Sequence, residues 1–305
     1  MNAEKPLAHM RRLLLLAPLV LSACQPALLD PKGPVARAES QILVGSVAIM
    51  LAIVVPTMVA IFAVAFWFRA SNTRANYVPD WAYSGRVELV VWSVPCMVVL
   101  LLAGVAWTGS HRLDPAAPVE MPGKPIEVQV VALDWKWLFI YPEQGIASVN
   151  QLKVPAGRPI HFKVTSATVF NAFFVPQLGS MIYAMSGMAA ELNLAADQPG
   201  VYRGISSHFS GEGFSDMNFE VHAVAPEEFD AWAAQVKQQE GGRLDVSAYA
   251  RLARPSINDA PRHFGWVEPK LFELVVAEHH PVAGQSSDWP SVTNKLLGSD
   301  LCLAN

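Results

Sequence analysis

The sequence predicts a membrane-anchored α+β protein, in which a transmembrane helical hairpin precedes an antiparallel β-sandwich and a short helical C-terminal extension. The 305 residues are 52% hydrophobic and only 16% charged, which is more apolar than an ordinary soluble domain. The apolar excess is confined to two long segments near the N-terminus. Beyond them, apolar and polar residues alternate with a period of two, which is typical of strands with one buried face.

The hairpin is predicted at residues 40–109. Residues 40–68 contain no charged side chain, and residues 87–107 contain only Glu88. About 20 apolar residues suffice to cross the hydrocarbon of a bilayer, so we expect spans at about 40–68 and 87–108. The connection between them carries several arginines, which favours a cytoplasmic loop and an outer location for everything after residue 109, although Lys32 and Arg37 on the other flank weaken the contrast.

The N-terminus has the order of a bacterial lipoprotein signal. Arg11 and Arg12 precede an apolar run, which is followed by the residues LSAC ending at Cys24. We expect residues 1–23 to be removed and Cys24 to be acylated, so that 24–39 form a periplasmic N-terminal segment. A plain signal peptide with a chance cysteine is the alternative.

Cysteine usage and charge exclude several classes of protein. The only cysteines are Cys24, Cys96 and Cys302, which do not make a disulfide framework. The net charge is −4 and no arginine-rich or lysine-rich run occurs, so nucleic acid is not an expected partner.

The outer part divides by composition. A proline-rich linker at 110–125 leads into alternating segments at 126–225, separated by glycine and proline turns. A helical pattern begins at Pro226, with Glu227 and Glu228 in its first turn, and opens a helical, aromatic-rich extension over 226–281. The last residues, 282–305, are predicted to form a flexible tail.

Four motifs follow one another along the chain: RVELVVWSVP at the second span, ALDWKWLFIYPE on an early strand, and then VFNAFFVPQLG and GISSHFSGEGFSDM. Over nearly the whole mature chain they resemble subunit II of the haem-copper oxidases. The aromatic-rich extension resembles that of the quinol-oxidising branch, the cytochrome bo-type ubiquinol oxidases. The resemblance implies a cupredoxin-like sandwich in the bacterial inner membrane, anchored by two spans.

It also implies partners and cofactors. Subunit I, which would hold haem and copper, further small membrane subunits and membrane lipids are the expected partners. The complex would oxidise ubiquinol, reduce dioxygen to water and move protons. This chain itself would bind no cofactor and carry no catalytic residue, and cytochrome c would not be its partner.

The loop at residues 204–217 is the place to test this. In copper-bearing relatives it reads Cys-x-Glu-x-Cys-x-x-x-His-x-x-Met, and a further histidine comes from an earlier strand. A dinuclear copper centre needs soft sulfur ligands. With the pattern anchored at the retained Met217, five ligand positions are occupied by other residues: Asn171, Ser206, His208, Ser210 and Phe214. We therefore expect no metal here, with Phe214 and Met217 packed in the core; a metal role for His208 is the alternative.

Two further features depend on the resemblance. Glu88 matches a glutamate at the mouth of a proton-uptake pathway in relatives, although an ionisable side chain at a membrane edge can be merely interfacial. Trp135 and Trp137 match tryptophans that lie between cytochrome c and the metal in copper-bearing members. Without a metal, we interpret them as a structural aromatic pair in the sandwich.

The sequence also bears on two alternative functions. A copper-bearing cytochrome c oxidase subunit II needs two cysteines four apart in the loop, and no cysteine lies between residues 110 and 301. A stand-alone envelope lipoprotein would need no second means of tethering, whereas two spans after a lipid anchor favour packing against other helices.

Overall fold

The computed structural model describes residues 27–76, 78–238 and 242–277. Cys24, the predicted signal segment and the predicted tail lie outside these residues. The chain forms two compact units: a helical unit, Ala38–Ala117, and an outer unit that combines the chain before it with the chain after it.

The helical unit is formed mainly by two long helices, α1 (Pro34–Trp67) and α2 (Gly85–Arg112), of which the first turn of α1 belongs to the outer unit. Both are long and apolar enough to cross a membrane. They extend past the predicted apolar limits, since Pro34 suits the first position of a helix and Arg112 carries positive charge at the C-terminal end of the dipole.

The outer unit is a β-sandwich. Its strands are β1 (Ile126–Leu133), β2 (Lys136–Tyr141), β3 (Ile146–Val149), β4 (Gln151–Pro155), β5 (Pro159–Ser166), β6 (Asn171–Phe174), β7 (Ile182–Ala184), β8 (Ala190–Ala195), β9 (Gly200–Ser206), β10 (Asn218–Val224) and β12 (Arg262–Phe264). The first sheet has the order β12-β3-β2-β1-β5-β8 and the second the order β4-β10-β9-β6-β7.

The predicted fold class is confirmed, with one correction: the sheets are not wholly antiparallel. β1 pairs with β5 and β4 pairs with β10 in parallel. Parallel neighbours need a long connection between them. Between β1 and β5 the chain runs through β2 and β3 and crosses to the other sheet as β4, so β5 returns beside β1 in the same direction.

An aromatic cluster fills the space between the sheets. Trp137, Phe139, Phe173 and Phe219 are almost fully buried, and the Phe219 ring lies 5.1–5.6 Å, centroid to centroid, from the other three. Such contacts add to the free energy gained from apolar burial. Phe219 therefore lies at the centre of this cluster, two residues after the loop of residues 204–217 ends.

The C-terminal extension is more than the predicted helical segment. Its helices are α3 (Pro226–Gln238), α4 (Val246–Leu252) and α5 (Leu271–Ala277), but it also contains β12, which pairs with β3 at the edge of the first sheet, and a small sheet of β11 (Arg243–Leu244) and β13 (Trp266–Val267). Local helical patterning cannot reveal strands that form only through pairing with distant residues.

The extension creates a second core on the outer face of the first sheet. Leu133 and Leu138 pack there with Tyr249 of α4 and Phe272 of α5. As a result β2 is buried at every position, whereas strict alternation predicted one exposed face.

The predicted N-terminal segment packs on the sandwich. The Lys32 N–H donates to the Gln177 carbonyl oxygen over 2.7 Å, and the Asp197 N–H donates to the Lys32 carbonyl oxygen over 2.9 Å. A Cβ at Gly33 would lie 2.3 Å from the Ala195 carbonyl oxygen, so only glycine permits this approach. We call residues 30–37 the docked segment.

Candidate functional site

The candidate site is the loop that joins β9 to β10. The two strands are antiparallel partners, with Asn218 opposite Ile205, so the loop leaves and re-enters one sheet at adjacent positions. A 3-10 turn at Phe214–Asp216 closes it. Neighbouring β6 supplies Asn171, so the topology brings the predicted ligand positions to one end of the sandwich.

Two of these positions are occupied by a buried polar network. Ser206 and Asn171 are 5% and 1% exposed. The Ser206 hydroxyl lies 3.3 Å from both the Asn171 side-chain oxygen and the His208 carbonyl oxygen, and the Asn171 amide donates to the Val169 carbonyl oxygen over 3.0 Å. The hydroxyl and amide groups are thus committed to one another, as buried polar groups need to be.

Ser210 and Met217 form a second contact. Ser210 Oγ lies 3.9 Å from Met217 Sδ, a weak hydrogen bond, and Met217 is 1% exposed. Met217 is therefore a core residue, as predicted.

The side chains of Phe214 and His208 take no part in the Ser206–Asn171 network or in the Ser210–Met217 contact. Phe214 is only half-buried and its ring lies 5.5 Å from that of exposed Phe209, so its interpretation as a core residue was wrong. It starts a short 3-10 turn on the loop surface rather than a strand facing inward. His208 is exposed, with its ring edge-on to Phe170 at 4.5 Å.

Trp135 holds the loop in place. Its indole N–H donates to the Ser210 carbonyl oxygen over 3.1 Å, and a Cβ at Gly213 would lie 2.5 Å from its ring. Trp135 adopts a left-handed backbone with φ 62°, at the turn between β1 and β2. Trp137 lies in the core between the sheets and half-buried Trp135 packs against the same core, so both tryptophans have structural positions in the sandwich.

In chemical terms the six positions offer one thioether, two hydroxyls, an amide, an imidazole and a phenyl ring. Among the residues that the structure describes, no three His, Cys, Asp or Glu side chains lie close enough together to hold a metal ion.

Comparisons with known proteins agree with this architecture. The family described as "Cytochrome C oxidase subunit II, periplasmic domain" matches residues 127–224, and the "COX Aromatic Rich Motif" matches residues 238–282. The chain is 44% identical over 282 residues to "Cytochrome bo(3) ubiquinol oxidase subunit 2" of Pseudomonas aeruginosa, covering 92% of this chain and 85% of the relative. It is 47% identical over 264 residues to "Ubiquinol oxidase subunit 2" of Acetobacter aceti, covering 86% and 85%. The chain belongs to the ubiquinol oxidase subunit 2 family.

Among solved structures, the periplasmic domain of cytochrome oxidase subunit II (CoxB) of Bradyrhizobium japonicum matches 39% of this subunit 2 chain and 98% of its own, with 26% identity and a TM-score of 0.37. The two relatives above confirm, at the level of the family, the resemblance seen in the sequence motifs.

The other predicted site residues lie elsewhere in this subunit 2. Glu88 is exposed in the first turn of α2, and its backbone N–H donates to the Ser84 carbonyl oxygen over 3.0 Å. A carboxylate in a first turn is favoured by the helix dipole. Cys24, the predicted acylation site, is outside the described residues.

Sequence reasoning missed a buried cation. Lys136 is 1% exposed, and its ammonium group donates to the Arg254 carbonyl oxygen over 2.8 Å, contacts the Ser256 hydroxyl and lies 3.5 Å from an Asp259 carboxylate oxygen. Burial lowers the pKa of Lys136, which the Asp259 charge partly offsets. Alternation puts Lys136 on the face opposite Trp137, which reads as solvent-facing until the extension covers it, so no local signal marks it.

Proposed function

We propose that this chain is the non-redox subunit 2 of a respiratory ubiquinol oxidase in the bacterial inner membrane. The complex would oxidise ubiquinol, reduce dioxygen to water on haem and copper in subunit I, and move protons. This chain would serve assembly and anchoring, with its sandwich on the periplasmic side. The observation that carries the proposal is the loop of residues 206–217, in which a hydrogen-bonded network stands where copper-bearing relatives have thiolates.

The chemistry of the loop supports the absence of a dinuclear copper centre. Bridging two copper ions requires thiolate sulfur, whereas serine hydroxyls are hard donors that stay protonated at neutral pH. Ser206 is moreover engaged with Asn171 and with a backbone oxygen. One buried thioether, Met217, is left as a soft ligand.

Copper loading of the full-length chain in detergent tests this directly. We expect no metal retained after dialysis and no visible absorption from the native chain. A variant that restores the four missing ligands provides the positive control and should turn purple with stoichiometric copper: Asn171→His, Ser206→Cys, Ser210→Cys and Phe214→His. A native chain that keeps stoichiometric copper and turns purple contradicts the proposal.

The proposal extends to Glu88 as part of a proton entrance. It lies in the first turn of α2, in the arginine-flanked end of the hairpin that charge assigns to the cytoplasm. In the intact complex, Glu88→Ala should slow proton uptake during reduction of the haem-copper centre. Glu120→Gln, an exposed carboxylate in the linker beyond α2, is the matched control and should leave the rate unchanged. Unchanged turnover in Glu88→Ala would remove this role.

We further propose that Cys24 is acylated and that the two helices pack against subunit I. Mass spectrometry of the purified N-terminal peptide detects the acyl chains, and Cys24→Ser should abolish them. Gentle purification from membranes should recover the chain with haem and a carbon monoxide-binding centre. Recovery of the chain alone, without haem, would instead favour a stand-alone envelope lipoprotein.

A further inference from the structure

A cationic pocket lies where the extension covers the first sheet, and none of its lining residues belongs to the loop of the candidate site. It has a volume of about 330 Å³ and is lined by the end of α4, the chain after it and β12. Four of its lining side chains are basic and one is acidic: Lys136, Arg251, Arg254, Arg262 and Asp259. This concentration of positive charge occurs in a chain whose net charge is −4.

The single carboxylate is shared between two of the cations. An Asp259 oxygen lies 2.8 Å from an Arg262 guanidinium nitrogen and 3.5 Å from Lys136 Nζ. Lys136 has three N–H groups, and the Arg254 carbonyl oxygen, the Ser256 hydroxyl and Asp259 account for all three. Lys136 is thus a fixed positive charge under the pocket with no donor left for a ligand.

Among the described residues the other two arginines form no ion pair, although the Asp245 carboxylate, which does not line the pocket, interacts with Arg251 through its charge. Arg251 makes one long contact, 3.3 Å, to the Ser247 hydroxyl, and the Arg254 side chain has no hydrogen-bond or ion-pair partner among the described residues. Like charges around one pocket repel one another, and the buried Lys136 beneath them raises the positive potential further. An anion in the pocket would remove this unfavourable energy.

We propose that this pocket binds a phosphate group, either free phosphate or the headgroup of an anionic phospholipid. A guanidinium presents a planar fork of donors that matches phosphate oxygens in pairs, and Arg251 and Arg254 supply two such forks. The Ser256 hydroxyl, which accepts from Lys136, has its own proton available as a further donor. The pocket volume exceeds what one phosphate group needs, which leaves space for an attached glycerol.

Binding is measured by titration calorimetry on the full-length chain in a non-ionic detergent. One arm uses inorganic phosphate, and the other uses a short-chain phosphatidylglycerol below its micelle concentration. We expect saturable binding that weakens as sodium chloride is added. Arg254→Gln removes only an unpaired charge, so it should preserve folding while weakening binding about 10-fold or more, as loss of a charge-assisted hydrogen bond does.

Lys270→Gln is the matched control, since it removes an exposed cation of the same extension outside the pocket. Binding of phosphate assigns the site to the free ion, and binding of the lipid alone assigns it to a headgroup. The proposal is overturned if neither probe binds the native chain saturably below about 10 mM, which is weaker than typical specific sites. It is also overturned if Arg254→Gln and Lys270→Gln weaken binding equally.

Discussion

Asn150 joins the sandwich to the extension, and its replacement provides a sharp test of how the outer unit is held together. It lies between β3 and β4 with a left-handed backbone, φ 56°. Its side-chain oxygen accepts from the buried backbone N–H of Trp137 over 2.8 Å, and its amide donates to the Asp259 carbonyl oxygen over 2.8 Å. The residue thus has three separable roles, two hydrogen bonds of its side chain and one backbone conformation.

The cost of losing each role follows from the structure. A left-handed backbone costs alanine about 1 kcal/mol more than asparagine or glycine. An unsatisfied buried backbone N–H at Trp137 costs about 1–3 kcal/mol, and the loss of the bond to Asp259 costs about 1 kcal/mol. We therefore expect Asn150→Ala to lower the free energy of unfolding by about 4 kcal/mol, Asn150→Gly by about 3 kcal/mol, and Asn150→Asp, which keeps the acceptor, by about 1 kcal/mol.

The assay is urea unfolding of the full-length chain in detergent, followed by tryptophan fluorescence, because urea unfolds the outer unit in preference to detergent-embedded helices. For a unit of this size about 4 kcal/mol corresponds to a melting temperature lower by roughly 8–16 °C. The reasoning is refuted if Asn150→Asp destabilises as strongly as Asn150→Ala, since the acceptor role would then contribute nothing.

Three further predictions concern packing and pH. Gly204→Ala should destabilise the outer unit by about 1–3 kcal/mol, because the new Cβ would lie 2.1 Å from the ring of Phe219, which its aromatic neighbours hold in place. Gly33→Ala should release the docked segment, measured as faster tryptic cleavage at Lys32, because its Cβ would collide with a backbone oxygen. Burial, reinforced by the Lys153 charge, lowers the pKa of His263 below 6.5, so the unfolded chain takes up its proton first. Stability should therefore fall as pH drops below about 6.5, and His263→Gln should flatten this slope.

Matched controls accompany these variants. Val201→Ala, at an exposed position of β9, should leave stability within about 0.5 kcal/mol of native. Gly45→Ala, where a Cβ would meet nothing within 4 Å, should leave the cleavage rate unchanged. An unaltered slope in His263→Gln, or a Gly33→Ala chain as resistant to trypsin as the native one, would contradict the corresponding prediction.

The parts of this structure that sequence could predict are those with local signals. The charge-free run at 40–68 requires a span, and alternation with glycine and proline turns requires strands. Each ligand position in the loop of residues 204–217 could be identified from the sequence because the retained Met217 fixes the spacing of the pattern. Burial of Met217 followed from the same reasoning, because a thioether without a metal packs as an apolar side chain.

What escaped prediction depends on contacts between distant segments. The parallel pairing of β1 with β5 is decided by a crossing between sheets, and β12 becomes a strand only against β3. Phe214 lies half-exposed because the loop turns there, which its apolar character does not indicate. The burial of Lys136 requires residues more than a hundred positions later to cover it.

The second core has a practical consequence for anyone who divides this protein. A fragment that ends at Val224, where the match to the subunit II periplasmic domain ends, would expose Leu133, Leu138 and their apolar neighbours on the outer face of β1 and β2. An exposed apolar patch of this kind on a sheet promotes aggregation. The two family matches are thus halves of one folding unit, and soluble expression of the ectodomain requires its C-terminal boundary to lie beyond Ala277, the last residue of α5.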